Sequence, residues 1–223
     1  RNGIAAGDIG SIIYIDDATD QLIFEASDGT DEYSLTSVST FTATGWHHFV
    51  VTWDENSAAN SEIYIDGVAN NATDSGTIGN IGTLTNARAL FFGAEANVGV
   101  GNPFDGKLDE VRLYNRVLSV DEIGRLYSLV TPTGIDAGLD GYWSLDGEDM
   151  SATEAFDRSG AGGTGALIGT PTKSLGRVGQ AINFDGTDDG VSVADNPILD
   201  VGNAVDLTVS GWFSRDTFTT DDT

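Results

Sequence analysis

The sequence predicts an all-β fold: an antiparallel two-sheet jelly-roll sandwich with one short helix near residues 119–129. Three observations carry that expectation. The chain has 29 Gly and only four Pro in 223 residues, a composition rich in turns. Of its 35 acidic residues 26 are Asp and nine are Glu, and Asp favours turns and caps over helix interiors. About a dozen short runs rich in β-branched and aromatic residues are separated by turn residues.

The strands follow in order. Ile12–Ile15, Gln21–Ala26, Tyr33–Thr36, Trp46–Trp53, Glu62–Ile65 and Arg88–Gly93 fill the first half. Asp28-Gly29, Asp66-Gly67 and Gly79-Asn80 punctuate them, and Asp-Gly between such runs signals a tight hairpin. Leu108–Tyr114, Gly141–Leu145, Gln180–Phe184, Val191–Val193 and Leu207–Phe213 continue the pattern. One stretch has helical spacing. Ser119-Val120-Asp121-Glu122 is a capping box, and Ile123, Leu126, Tyr127 and Val130 recur behind it at helical period.

Composition excludes several function classes. Ten basic residues against 35 acidic ones leave a net charge of −25, which repels phosphate backbones and anionic lipids. No nucleic-acid partner is therefore expected. No apolar run approaches the ~20 residues of a bilayer span, so no membrane insertion is expected either. With no Cys there is no disulfide framework, thiolate zinc site or thiol catalysis. The chain opens at Arg1 without a charged-then-apolar leader, so a secretion signal is expected upstream or already removed.

Two groups of residues resemble a known family. Gly45-Trp46-His47-His48-Phe49-Val50-Val51-Thr52-Trp53, with Ile63-Tyr64-Ile65-Asp66-Gly67, resembles the central hairpin of laminin-G-like, concanavalin A-like jelly rolls. Phe104-Asp105-Gly106-Lys107-Leu108-Asp109-Glu110-Val111-Arg112-Leu113-Tyr114-Asn115-Arg116-Val117-Leu118-Ser119 is similar to their closing strand and helix. The family's opening motifs resemble Gly141–Asp146, Asp157–Gly160 and Ala181–Gly186. Their order is inverted relative to the family. Residues 1–130 are expected to form the C-terminal part of one laminin-G-like sandwich. Residues 131–137 form a linker. Residues 138–223 are expected to form the N-terminal part of the next sandwich, or of the same one, permuted. A window cut out of phase from a tandem array is the favoured origin. Trp46–Trp53 is then expected to meet Leu207–Phe213 between copies, head to tail.

The candidate sites are few. His47 and His48, the only histidines, point to opposite strand faces and cannot chelate one metal together. No Ser-His-acid pattern surrounds them. Related glycoside hydrolases carry acids at alternate strand positions, and that string is missing here. Asp16-Asp17, Asp109-Glu110 and Asp188-Asp189 are adjacent and are expected to point apart. No catalytic residue and no enzymatic activity are expected. Calcium, which takes carboxylate and carbonyl oxygens, is the cofactor the resemblance implies. Its implied ligands are Asp109 and Asp157, with the loop carbonyls of Gly160 and Gly162. Relatives often carry Asn at the positions of Ala161 and Gly163, and the alternative for Asp157 is a metal-free Asx turn. Trp46, Trp53, Trp143 and Trp212 all lie in strand motifs and are expected to fill the core. The loops at Asp28–Tyr33 and Asn97–Pro103 are candidate rims for a glycan. The expected function is a non-enzymatic extracellular binding or adhesion module, one repeat of a larger cell-surface protein. The alternatives are a purely structural repeat of a stalk or fibre, and an accessory carbohydrate-binding domain of a glycoside hydrolase.

Overall fold

The computed structural model describes residue 4 and residues 9–41, 44–76, 81, 89–94, 103–128, 134–161, 163–199 and 206–216. Its strands are β1 (Ile9–Ile15), β2 (Gln21–Asp28), β3 (Glu32–Thr40), β4 (His47–Trp53), β5 (Glu62–Ile65), β6 (Val68–Ala69), β7 (Asn71–Gly76), β8 (Leu90–Phe92) and β9 (Asp105–Tyr114). The helix α1 (Val120–Ser128) follows. Then come β10 (Leu139–Trp143), β11 (Glu154–Ala155), β12 (Gly165–Ile168), β13 (Thr172–Leu175), β14 (Gln180–Asp185), β15 (Gly190–Val193) and β16 (Leu207–Arg215). The runs chosen from periodicity all contain strand. Gly79-Asn80 and Val130 lie outside the described residues.

An eight-stranded antiparallel sheet runs β13-β14-β9-β16-β4-β5-β6, with β10 also paired to β9. Two four-stranded sheets, β1-β2-β3-β7 and β11-β12-β15-β8, make up the other strand layer. Strand alternation supplies the apolar filling between them. Phe49, Val51 and Trp53 of β4, Val111 and Leu113 of β9, and Phe213 of β16 meet Leu22, Phe24, Tyr33 and Leu35 from the smaller sheets in one core. The Asp66-Gly67 turn between β5 and β6 has φ of 51° and 79°. Two successive left-handed residues of this kind match the twist of a two-residue hairpin.

One expectation is corrected here. β16 pairs with β4 from Leu207↔Trp53 to Phe213↔His47 within a single chain, not between copies. On its other side it pairs with β9. Strands of residues 1–130 and 138–223 thus interleave in the large sheet. The connection of thirteen residues from β15 to β16 reaches about 40 Å when extended, enough to carry the chain from one layer to the other.

The helix starts where its capping box predicts. Ser119 N–H donates to Glu122 Oε2 at 2.9 Å, and Glu122 N–H donates back to Ser119 Oγ at 3.4 Å. Arg116 clamps the same carboxylate with both terminal nitrogens, and this pairing holds Glu122 down at about 2. Ile123 and Leu126 are buried against Val50, Tyr64, Tyr114, Leu118 and Ile135. This second cluster lies on the face of the large sheet turned away from the core. No helix among the described residues is long and apolar enough to cross a membrane.

Candidate functional site

The outward face of the large sheet carries the side chains that alternate with the core residues: His48 on β4, Thr208, Ser210 and Trp212 on β16, and Arg112 on β9. Helix α1 covers one end of it with apolar contacts. Beyond the helix the face is polar, and a bulge in β9 shapes it. Trp212 stands opposite Asp109, whereas Ser210 stands opposite Arg112, so β9 holds an extra residue in that interval. Glu110 takes up the surplus at φ 56°. Bulges of this kind re-aim side chains. Asp109 and Glu110 were expected to point apart; the bulge turns both to the outward side.

Glu110 is 5% exposed. It pairs with the Arg112 guanidinium and accepts a hydrogen bond from Tyr142 Oη at 3.0 Å. Arg112 lies 4.1 Å over the Tyr142 ring. Burial, opposed by Arg112 and reinforced by Glu110, drives the Tyr142 hydroxyl above its ordinary range.

Asp109 is fully buried. Its Oδ2 accepts from the Val178 N–H at 2.8 Å, while Oδ1 has no partner. Burial pushes this carboxyl up to about 7 against the stabilising N–H groups of Val178 and Arg177, with help from the neighbouring Glu110 and Asp146. The loop that covers it depends on Gly176. A Cβ there would lie 2.6 Å from Asp109 Oδ2 and from the Gln180 backbone.

Between Asp109 and His48 stands Trp212, 2% exposed. Tyr127 of α1 stacks on it at 5.7 Å, the His48 ring lies 5.0 Å away, and the Arg177 guanidinium lies 4.6 Å over it. His48 is 1% exposed and its Nδ1 has no partner. Burial, followed by the nearby Arg112, lowers it to about 4, with Asp66 pulling the other way. His47, on the opposite strand face, is half-buried and meets Asp66 at 3.0 Å.

The tryptophan expectation is therefore corrected in part. Trp53 and Trp143 lie in the core. Trp212 is as buried as they are, but on the outward side. Trp46 is half-buried just ahead of β4.

The residues implied for calcium have separate partners. Asp157 Oδ1 accepts from the N–H groups of Tyr142 and Ser159 at 2.8 and 2.9 Å, and its Oδ2 accepts from Ser159 Oγ. That geometry is an Asx turn tied to β10. Asp109 instead lies under the Gly176–Gly179 loop. Gly160 has φ 79°, and Gly162 lies outside the described residues. A different group converges: Asp185, Asp188 and Asp189 bring one oxygen each within 4.8 Å of one another. The buried Asp189 spends its oxygens on the N–H groups of Thr170 and Asp185. Adjacent acids were expected to point apart because they were placed on a strand, and Asp188 precedes β15 in a turn.

At the Asp28–Tyr33 rim there is a cavity of about 170 Å³ lined by Glu25, Ser27, Glu32, Tyr33, Ser34 and Ser75. The other candidate rim, Asn97–Pro103, lies almost wholly outside the described residues.

A laminin-G-type family model, described as the concanavalin A-like lectin/glucanases superfamily, matches residues 2–124. The chain belongs to that superfamily. Its matched residues include β4, β9 and just over half of α1, which build part of the outward face; β10 and β16 lie beyond the match. Neither the curated proteins nor the solved structures yield a match. The antiparallel strands and, among the described residues, the single α-helix agree with the superfamily's β-sandwich, the architecture of a ligand-binding class of module.

Proposed function

We propose that this laminin-G-like domain is a non-enzymatic extracellular binding or adhesion module that takes a glycan, as one repeat of a larger surface protein. The observation that carries the non-enzymatic part is the state of the two carboxylates on the outward face. A glycosidase needs two carboxyl groups open to the scissile bond. Asp109 is sealed under the Gly176–Gly179 loop, and Glu110 is spent on Arg112 and Tyr142. The Asp28–Tyr33 rim supports the glycan part, because its cavity carries the Glu32 carboxylate and the Tyr33, Ser34 and Ser75 hydroxyls, groups able to receive sugar hydroxyls, beside Ile4 and Ala26.

Structural calcium belongs to the same reading: its ligands would be Asp157 with the Gly160 and Gly162 carbonyls and Asp109 of β9, with Asp157 leaving its Asx turn to take the ion. Neighbouring copies of the domain are its expected macromolecular partners. Glycan-array binding of the intact chain, repeated with chelator, tests the reading. Saturable binding lost on replacing Glu32 with Ala at the rim supports it. Release of reducing sugar from any bound glycan would overturn the non-enzymatic assignment, and an array without binding would overturn the glycan.

A further inference from the structure

The outward face carries an aromatic ring covered by a displaceable cation. Trp212 has three neighbours that close it off: Tyr127, His48 and the guanidinium of Arg177. The first two come from packed elements, α1 and β4. Arg177 differs. It is exposed, and it sits on a loop bounded by Gly176 and Gly179. Among the described residues its guanidinium makes no ion pair, although acids outnumber bases 35 to ten in this chain. What holds it over the ring is the attraction of a cation for a π face, which is weak at an exposed position.

The surroundings suit a cation. Trp212 stands beside Asp109 across the strands, and Asp109 keeps a fully buried oxygen without a partner. Asp146 lies within electrostatic reach of that carboxyl, while Glu110 is already neutralised by Arg112. A chain of net charge −25 also concentrates cations at its surface.

We propose that the Trp212 face is a binding site for a small organic cation of the guanidinium or quaternary-ammonium type, filled in the resting fold by Arg177 of the same chain. Arg177 is then a tethered competitor. An external cation reaches the ring only from the population in which Arg177 has swung off, so its apparent affinity falls by that fraction. The assignment goes beyond the glycan reading and concerns a different part of the molecule from the Asp28–Tyr33 rim.

The test is a tryptophan-fluorescence titration of the folded chain with tetramethylammonium chloride, against sodium chloride at equal ionic strength. Arg177→Ala and Arg177→Gln are both used, since the second keeps most of the stem over the ring if the first loosens the fold. The Trp212→Leu/Arg177→Gln double variant removes the ring and supplies the background from the other three Trp. Both single variants are expected to respond saturably, with an apparent affinity about tenfold or more above the parent, and the double variant not at all. A response equal to that of sodium chloride, or one that survives in the double variant, would overturn the site. Loss of glycan binding at the rim would leave it standing.

Discussion

The two faces of the large sheet are built from the same strands and follow opposite rules. On the inner face every second residue is apolar, and Phe49, Val51, Trp53, Val111, Leu113 and Phe213 pack without a polar atom among their side chains apart from the Trp53 indole nitrogen. On the outer face the alternate residues are His48, Ser210, Trp212, Asp109, Glu110 and Arg112. Three of these, His48, Ser210 and Asp109, keep buried polar atoms without partners. The inner face is stabilised by contact area. Beyond the apolar cluster under α1, the outer face is a set of buried polar groups, which cost stability when left unpaired and mark places where structure serves something else. The contrast shows that burial alone does not define a core: Trp212 is 2% exposed and so is Trp53.

The contrast breaks first under large-to-small substitution. Trp143→Ala removes a fully buried ring from the inner face, and such losses cost about 3–5 kcal/mol. A fall in Tm of roughly 10 °C or more is expected by calorimetry. If Trp143→Ala melted within a few degrees of the parent, the inner face would not be the principal source of stability.

Titration sharpens the contrast, because the outer face holds two groups with opposing slopes. Asp109 is raised in the fold to about 7. The folded state therefore holds its proton more tightly than the unfolded chain, and stability from this group is full below about pH 4 and lost as pH rises through 7. His48 is lowered to about 4. The unfolded chain takes its proton first, so stability from His48 is present above pH 6.5 and lost as pH falls through 4. The two slopes oppose each other between pH 4 and 6.5. Asp109→Asn removes one, so its stability relative to the parent is expected to rise with pH across 4–7. His48→Gln removes the other, and its relative stability is expected to fall from pH 4 to 6.5. Denaturant midpoints across that range measure both. Parallel slopes in the two variants would contradict the assigned burial of one of the groups.

Much of the inner face was legible from the chain. Period-two alternation in Trp46–Trp53, Leu108–Tyr114 and Leu207–Phe213 marks the strands, and the Ser119–Glu122 box marks the helix start. The strands that periodicity missed, such as β7 (Asn71–Gly76) and β13 (Thr172–Leu175), are polar and sit at sheet edges, where no apolar repeat is needed. The outer face was harder to see. Alternation predicts that Asp109 and Glu110 diverge, and only the bulge at Glu110 brings them together. No local signal gave that bulge, because its cause is nonlocal: β9 has β14 beside Asp105–Leu108 and β10 beside Val111–Tyr114 on one edge, so its pairing changes hands at Glu110. Trp212 was misplaced for a related reason. Its strand alternates correctly, but two large aromatic residues stand side by side after Gly211, and composition alone does not say which of Trp212 and Phe213 faces inward. Closure within one chain was not the favoured reading of the motif order, because an inverted order fits a tandem array as well as a permuted sandwich and only the β16–β4 register separates them.

A milder test separates the covered end of the outer face from its polar remainder. Glu122→Ala removes the reciprocal cap of α1 and the Arg116 clamp together, and losing a cap costs about 1 kcal/mol. The fall in Tm is expected to be a few degrees. Because Tyr127 near the end of α1 stacks on Trp212, the frayed helix should also raise acrylamide quenching of Trp212, measured in a chain whose other Trp are replaced by Phe.

The smallest effect is expected at Ser210. Its hydroxyl is fully buried and has no partner. Ser210→Ala removes a desolvated polar group at almost constant shape, so the change should lie within about 0.5 kcal/mol of the parent and on the stabilising side. The same substitution at a bonded serine is the control. Ser144 donates to Asp149 Oδ2 at 2.6 Å from an equally buried position, and Ser144→Ala should cost about 1–3 kcal/mol by leaving that carboxylate short of a donor. If Ser210→Ala were as costly as Ser144→Ala, the Ser210 hydroxyl would have a partner, an ordered water being the simplest, and the outer face would be a satisfied network and not a row of open groups.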